Sequence, residues 1–364
     1  MSASWGKNME ITLFGESHGE AIGIVIGNLP AGVRIDQEFI EKEMKRRAPG
    51  QNKMSTPRKE KDTIHIMSGI QDQITTGAPL CAMIYNQDTH SKDYSILKEV
   101  MRPGHSDYPA YKKYHGFNDV RGGGHFSGRL TAPIVFAGAV AKLILKEKGI
   151  MVGGHILSIK DVQDDRFPVN VDETYLEELL KQQYPTIRPG VFAQMQDVIE
   201  SARLQQDSVG GMIECAIVNV PSGIGNPFFD SIESHLSPLL FSIPAVKSVG
   251  FGLGEEITRL YGHEANDSYY FQGNQILTKT NNNGGITGGI SNGMPIVFHV
   301  GIKPTPSISQ KQQTINIKTR ENVELELKGR HDPCIVPRAV VVVEAMVAIG
   351  LLDLMMYDER FKTM

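Results

Sequence analysis

AVVVVEAMVAIGLLDLMM, residues Ala339–Met356, is the stretch on which the reading of this chain turns. It is apolar almost throughout, and only Glu344 and Asp353 interrupt it. A membrane span would have to hold both carboxyls in hydrocarbon, at about 3 kcal/mol each. The run therefore reads as the largely buried helix of a soluble protein, not as a span.

The flanking sequence alternates between two kinds of segment. Strands are expected at Ala21–Gly27, Thr63–Met67, Pro79–Tyr85, Gly211–Val220, Val246–Gly252, Pro295–Ile302 and Val323–Lys328. Asp36 can cap a helix to about Arg47, with Phe39, Ile40 and Met44 on its apolar face and Pro49-Gly50 ending it. Thr131 can cap another through about Lys148, closed by Gly149. Further helices are expected at Asp172–Gln183, Val191–Asp207 and Phe229–Phe241. Gln51–Lys61 reads as a mobile polar loop, and Asn86–Gly128 as a long functional one. There is no repeating βαβ period, no exact internal repeat and no linker. The expectation is one α+β domain, residues 1–364, of layered sheets and helices.

Bulk composition narrows the function. Hydrophobic content is 40% and charged content 21%, ordinary for a soluble enzyme. A net charge of −4 argues against a general nucleic-acid surface, so any basic site must be local. Met1–Met9 is polar and lacks the apolar core of a secretory signal. Cys81, Cys215 and Cys334 are far apart, which fits a reducing cytoplasm and suggests neither disulfide nor zinc. The histidines show no metal-ligand spacing, and no metal is expected.

Chemistry concentrates in glycine-rich clusters: Phe14–Gly19, Arg102–Tyr108, Arg121–Arg129 and Gly329–Pro333. Glycine lets backbone approach a ligand, arginine offers a planar fork to carboxylate and phosphate, and histidine moves protons near neutral pH. Together they describe a site for a small polyanion on which proton chemistry is done. Gly15-Glu16-Ser17-His18-Gly19 matches the serine-hydrolase elbow only formally, because strand, not helix, is expected to follow it. Its reading here is His18 as an acid and Ser17 as a positioning group. Arg46-Arg47, Lys53 and Arg58 read as a clamp for anions. Gly122-Gly123-Gly124 suggests backbone amides facing a phosphate, and Asn282–Gly289 with Lys303 and Thr305 a second cradle. Walker and Rossmann spacings are absent. Cys334 reads as structural.

Thr12–Gly19, Gly104–Pro133 and Gly329–Ala348, with Leu80–Asp93 and Gly284–Pro304 between them, resemble the chorismate synthase family in order, over about residues 5 to 356. The resemblance implies a homotetramer whose subunits have a β-α-β sandwich core of mixed and antiparallel sheets. It implies a lyase that converts 5-enolpyruvylshikimate 3-phosphate to chorismate by 1,4-anti elimination of phosphate, the last step of the shikimate route to aromatic amino acids. It also implies reduced FMN, although the reaction has no net redox change. An external flavin reductase is favoured as the source of electrons, with NADPH the alternative.

By the same resemblance, His18 acts on the leaving phosphate and His105 on the reduced flavin, while Ser17 and Asp332 relay a proton. Arg47, Lys53, Arg102, Arg129 and Arg330 bind substrate. His125, Phe126, Ser127, Ala245, Gly288, Lys303, Pro304, Thr305, Pro306, Ser307 and Arg330 contact FMN. The chain departs from the family at His125-Phe126, where many members have Arg-Ser, at Pro244, where many have Asn, and at Lys53, where arginine is common. The rival readings are a flavin oxidoreductase acting on a phosphorylated acid and a non-catalytic module binding phosphoanions or RNA.

Overall fold

The computed structural model describes residues 3–50, 62–86, 96–327 and 331–357. The loop expected at Gln51–Lys61, with Lys53 and Arg58, lies outside them, as does Arg330. Two five-stranded antiparallel sheets dominate the α+β architecture. The first runs in the order Ser4–Trp5, Glu10–Gly15, Ala21–Gly27, Leu80–Tyr85, His65–Ser68. The second runs Val246–Phe251, Ile296–Ile302, Gly211–Val218, Met151–Ile159, Val162–Gln163. In the first sheet Ile22, Ile24 and Ile26 alternate along one strand, with Leu80, Ala82 and Ile84 on its neighbour, and all six are buried. That is the period-two pattern of a strand with one face on a core.

The quoted apolar run lies within a helix, Val336–Tyr357, almost wholly buried. It packs on the Thr131–Glu147 helix and on the Met151–Ile159 and Gly211–Val218 strands of the second sheet. Thr131–Glu147 in turn covers Ala21–Gly27 and Leu80–Tyr85 of the first sheet. Gln37–Arg47 and Ile232–Ser242 flank this pair. The result is a β-α-β sandwich. The two central helices touch so closely that a Cβ at Gly138 would fall 2.2 Å from that of Ala345.

The two acids interrupting the apolar run are its anchors. Asp353 accepts from the backbone N–H groups of Lys7, Asn8 and Met9 at 2.9, 2.6 and 2.7 Å, tying the N-terminal segment to the helix. Glu344 receives Arg46 through both guanidinium nitrogens at 2.6 and 2.7 Å, Lys142 at 2.5 Å, and the Gly154 N–H at 3.0 Å. Glu43 closes the cluster against Arg46 and Lys142.

Several local expectations need correction. Glu10–Gly15 and Met151–Ile159 are strands that the sequence reading passed over. The second holds Gly153-Gly154, which weakens a strand signal. Here the missing side chains let Leu176 and Val340 pack against the backbone. Asp36 caps as expected, accepting from the Phe39 N–H at 3.0 Å. Thr131 does not cap: its hydroxyl turns back to donate to the Gly128 carbonyl at 2.6 Å. The helix opened by Asp172 ends at Leu179, and the one expected at Phe229 starts at Ile232 behind a Ser231 cap. The long polar stretch holds the Asp107–Lys113 helix and 3-10 turns at Arg121–Phe126 and Gly128–Leu130.

Candidate active site

Ser17 and His18 sit at the tip of the hairpin formed by Glu10–Gly15 and Ala21–Gly27. A tight turn closes the tip, with the Gly19 N–H donating to the Glu16 carbonyl at 3.0 Å. A strand follows it, so the formal hydrolase pattern is a hairpin turn and not a nucleophile elbow. Asn86, at the end of the adjacent strand, donates its side-chain amide to the carbonyls of Glu16 and Gly19, both at 3.0 Å. Its Oδ1 accepts from Arg129 Nε at 3.2 Å. One short amide thus ties the hairpin tip to an arginine forty-three residues away.

The triple glycine brings the two histidines to one segment. Gly122 and Gly123 have φ of 57° and 85°, in the left-handed region. A Cβ at Gly122 would lie 2.2 Å from His18 Nδ1 and 2.8 Å from Ser17 Oγ. A Cβ at Gly123 would lie 3.6 Å from His105 Nε2. His18 and His105 therefore flank consecutive glycines, although 87 positions separate them in sequence. The Ser17 N–H donates to the Gly124 carbonyl at 3.1 Å, fixing the hairpin tip to the segment. His125 Nδ1–H donates to the Gly15 carbonyl at 2.9 Å, which leaves Nε2 as the acceptor in the neutral ring.

Beside this segment lies a buried basic cluster. Arg47 donates to Asp62 at 2.5 Å, and Arg129 bonds the other oxygen of the same carboxylate. Burial pulls the Arg47 guanidinium down, Asp62 opposes this, and the nearby charges of Arg338 and Arg129 lower it further, to about 10. Burial raises the Asp62 carboxyl, but its two arginines outweigh that and hold it below its ordinary range. Arg338 donates to the Arg47 carbonyl at 2.9 Å and to Asp332 at 2.7 Å. Thr305 donates to the Asp332 carbonyl at 2.9 Å.

A third group completes the wall. Arg102 grips Asp107 through Nε and Nη2 at 2.7 and 2.8 Å, and Nη1 reaches Ser307 Oγ at 3.2 Å. Lys303 donates from Nζ to the Gly104 carbonyl at 2.5 Å and from its backbone N–H to the Ala245 carbonyl at 3.0 Å. A Cβ at Gly104 would touch Pro306 at 3.5 Å. Lys303–Ser307 is thus laid along the His105 turn, with Ala245 behind it. Phe126 stands half-exposed beside Tyr114, and Ser127 caps the turn that carries Arg129.

Most of the expected residues are therefore connected through one network of contacts. Gly288 is the exception among those described. Its hairpin packs on the start of the Ile232–Ser242 helix, where Gly289 accepts from the Ile232 N–H at 3.0 Å, whereas Ala245 follows the far end of that helix. Arg46, grouped with Arg47 in the sequence reading, faces away into the Glu344 cluster. Asp62, Asn86, Asp107 and Arg338 were not anticipated. Asp107 stood inside a quoted cluster, two residues from His105. Asn86 and Arg338 stood inside the longer family-like stretches, but none of the other three had a local signature of its own, since each bonds a partner far along the chain. Burial pushes the Cys334 thiol up to about 12, which suits a structural cysteine.

Comparison with known proteins agrees over nearly the whole length. The family model described as chorismate synthase matches residues 9–356. The chorismate synthase of Dehalococcoides mccartyi is 45% identical over 361 residues, covering 97% of this chain and 96% of the relative. That of Methanocaldococcus jannaschii is 46% identical over 362 residues, with the same coverage of 97% and 96%. A crystal structure of chorismate synthase superposes with a TM-score of 0.77 at 28% identity, over 99% of this chain and 96% of that one.

Proposed function

The chain belongs to the chorismate synthase family, and from that premise we propose how its site forms chorismate. The substrate is 5-enolpyruvylshikimate 3-phosphate, which carries two carboxylates and a phosphate. The reaction is a 1,4-anti elimination: the C–O bond to phosphate breaks, a ring hydrogen is lost on the opposite face, and a conjugated diene remains. The observation that carries this reading is the meeting of His18 and His105 across consecutive glycines, beside the buried arginines.

Arg47 and Arg129 neutralise substrate charge in a site closed to water, where fixed cations act most strongly. Lys53 and Arg330 are assigned the same task from the family pattern. His18, against Gly122, protonates or hydrogen-bonds the departing phosphate, and Ser17 sets its position. Asp332, held by Arg338, takes part in proton relay.

The residues fit a phosphate-bearing flavin. Lys303 supplies a cation, Thr305 and Ser307 supply hydroxyls, and Gly104 and Gly123 leave bare backbone beside His105. His125, Phe126, Ser127, Ala245, Gly288, Pro304, Pro306 and Arg330 complete the assignment. Reduced FMN, when bound, would supply an electron-rich partner, and an acceptor for the hydrogen lost, in an elimination with no net redox change. His105 holds or moves the proton on that side. An external flavin reductase or NADPH provides the electrons.

The whole chain acts as one catalytic domain, a reading supported by the core cluster its two sheets share. It works in the cytoplasm as a homotetramer. Exposed Phe228, Phe229 and Phe271 support assembly through apolar surface.

The test is anaerobic turnover of 5-enolpyruvylshikimate 3-phosphate with FMN supplied oxidised, chemically reduced, or with NADPH. His18→Ala and His105→Ala should each slow turnover by about 10²- to 10⁴-fold with the circular dichroism spectrum retained. Full turnover by both variants would sink the assignment.

A further inference from the structure

Asp107 has a definite geometry and as yet no role. Its carboxylate is almost fully buried and holds three groups of the Arg102–His105 turn. Arg102 reaches it through Nε, Nη2 and the backbone N–H, the last at 3.1 Å. His105 Nδ1 lies 2.7 Å from Oδ1.

We propose that Asp107 is the positioning residue of His105, fixing its tautomer and aiming its Nε2 at the glycine segment, and that Arg102 serves the reaction through Asp107 and not by binding substrate. The proposal rests on the reading of His105 as a proton-transfer group.

An ionised carboxylate only accepts hydrogen bonds. Nδ1 lies 2.7 Å from this carboxylate and 3.4 Å from the Ser106 hydroxyl, and the shorter, charged contact favours a proton on Nδ1, which leaves the lone pair of the neutral ring on Nε2. That is the nitrogen facing Gly123, towards the backbone shared with His18. Asp107 stays ionised because of Arg102. Burial alone would raise its carboxyl, but the hydrogen bonds from Arg102 and His105, and their charges, hold it well below the ordinary range. With both arms of its fork on one carboxylate, Arg102 has little left to offer a second anion. A purely structural alternative exists, since Asp107 opens the Asp107–Lys113 helix and an acid there favours the helix dipole.

The first readout needs no turnover. In ring-15N-histidine enzyme at mildly alkaline pH, solid-state NMR, with the His105→Ala spectrum subtracted, should show His105 protonated on Nδ1. In Asp107→Ala the ring should shift to the Nε2–H form that free imidazole favours. Asp107→Asn serves if Asp107→Ala does not fold. Its one amide oxygen is claimed by the two Arg102 donors at the Oδ2 position, so its NH2 faces Nδ1 and the ring should again shift to the Nε2–H form, while kcat falls by about 10-fold or more, with KM for the phosphorylated substrate within about 3-fold. Arg102→Gln should likewise lower kcat and leave KM nearly unchanged. On a His105→Ala background Asp107→Asn should add almost nothing. An unchanged tautomer in folded Asp107→Ala, a rise in KM matching the fall in kcat, or additive losses would overturn the proposal. If His105→Ala alone turns over at full rate, the catalytic reading of His105 fails, and the tautomer measurement still decides the placement by Asp107.

Discussion

Arg46 and Arg47 are neighbours on one helix and end in opposite kinds of environment. Arg46 enters a closed cluster in which Glu43 and Glu344 face Arg46 and Lys142, two acids for two bases. Arg47 enters a cluster in which it and Arg129 share the single carboxylate of Asp62, with Arg338 close by. Both guanidiniums are pulled down by burial. For Arg46 the two acids more than compensate and its pKa rises above the ordinary range. For Arg47 burial wins: Asp62 alone does not offset it, the charges of Arg338 and Arg129 lower it further, and it falls to about 10. Matched buried charges make a structural joint, whereas a buried excess of one sign invites a ligand of the other. The same residue type, one position apart, joins the fold in one case and in the other lies in the cluster proposed to meet the substrate.

Breaking the closed cluster should have the largest effect. Glu344→Ala leaves Arg46 and Lys142 buried without their shared partner and should lose about 3–5 kcal/mol of stability in urea unfolding. Turnover per folded molecule should stay near that of the parent. A large loss of turnover with little loss of stability would show that this cluster is not merely a joint.

Arg129→Ala tests the open cluster. Binding of the phosphorylated substrate, read by calorimetry, should weaken by about 2–5 kcal/mol. If only the melting temperature moves and affinity does not, the Asp62 cluster is as structural as the Glu344 one, and the comparison collapses.

The smallest effect sharpens the contrast through pH. Burial raises the Glu43 carboxyl, but Lys142 and Arg46 outweigh it and bring it down to about 2. In the unfolded chain it titrates at about 4.3. A carboxylate depressed in the folded state contributes stability above the unfolded value and loses it as pH falls through the folded one. Stability should therefore drop between about pH 4.3 and pH 2, by roughly 1.4 kcal/mol per unit of the difference. Glu43→Gln should flatten that part of the profile, and an unchanged slope would place the acid sensitivity elsewhere.

Much of the fold was legible. The central helix, the Asp36 cap and the Ala21–Gly27 strand follow from local apolar pattern and one capping side chain. The Met151–Ile159 strand was not, because Gly153 and Gly154 are there for the Leu176 and Val340 side chains that pack on them, a relation no local window contains. Of the site, the glycine-rich clusters announced themselves by composition. Their supports, Asp62, Asn86 and Arg338, did not, because each acts through a partner far away in sequence.

The sequence by itself determined that this is a buried-helix α+β protein, and it marked the residue types proposed to serve a polyanion: histidines and arginines beside glycines. Those signals are short-range, and a linear pattern carries them. Only the tertiary structure decided which arginine does what. One step along an α-helix turns a side chain by about 100°. That rotation sends Arg46 to the Glu344 cluster and Arg47 to Asp62, and nothing in the pair of letters says which.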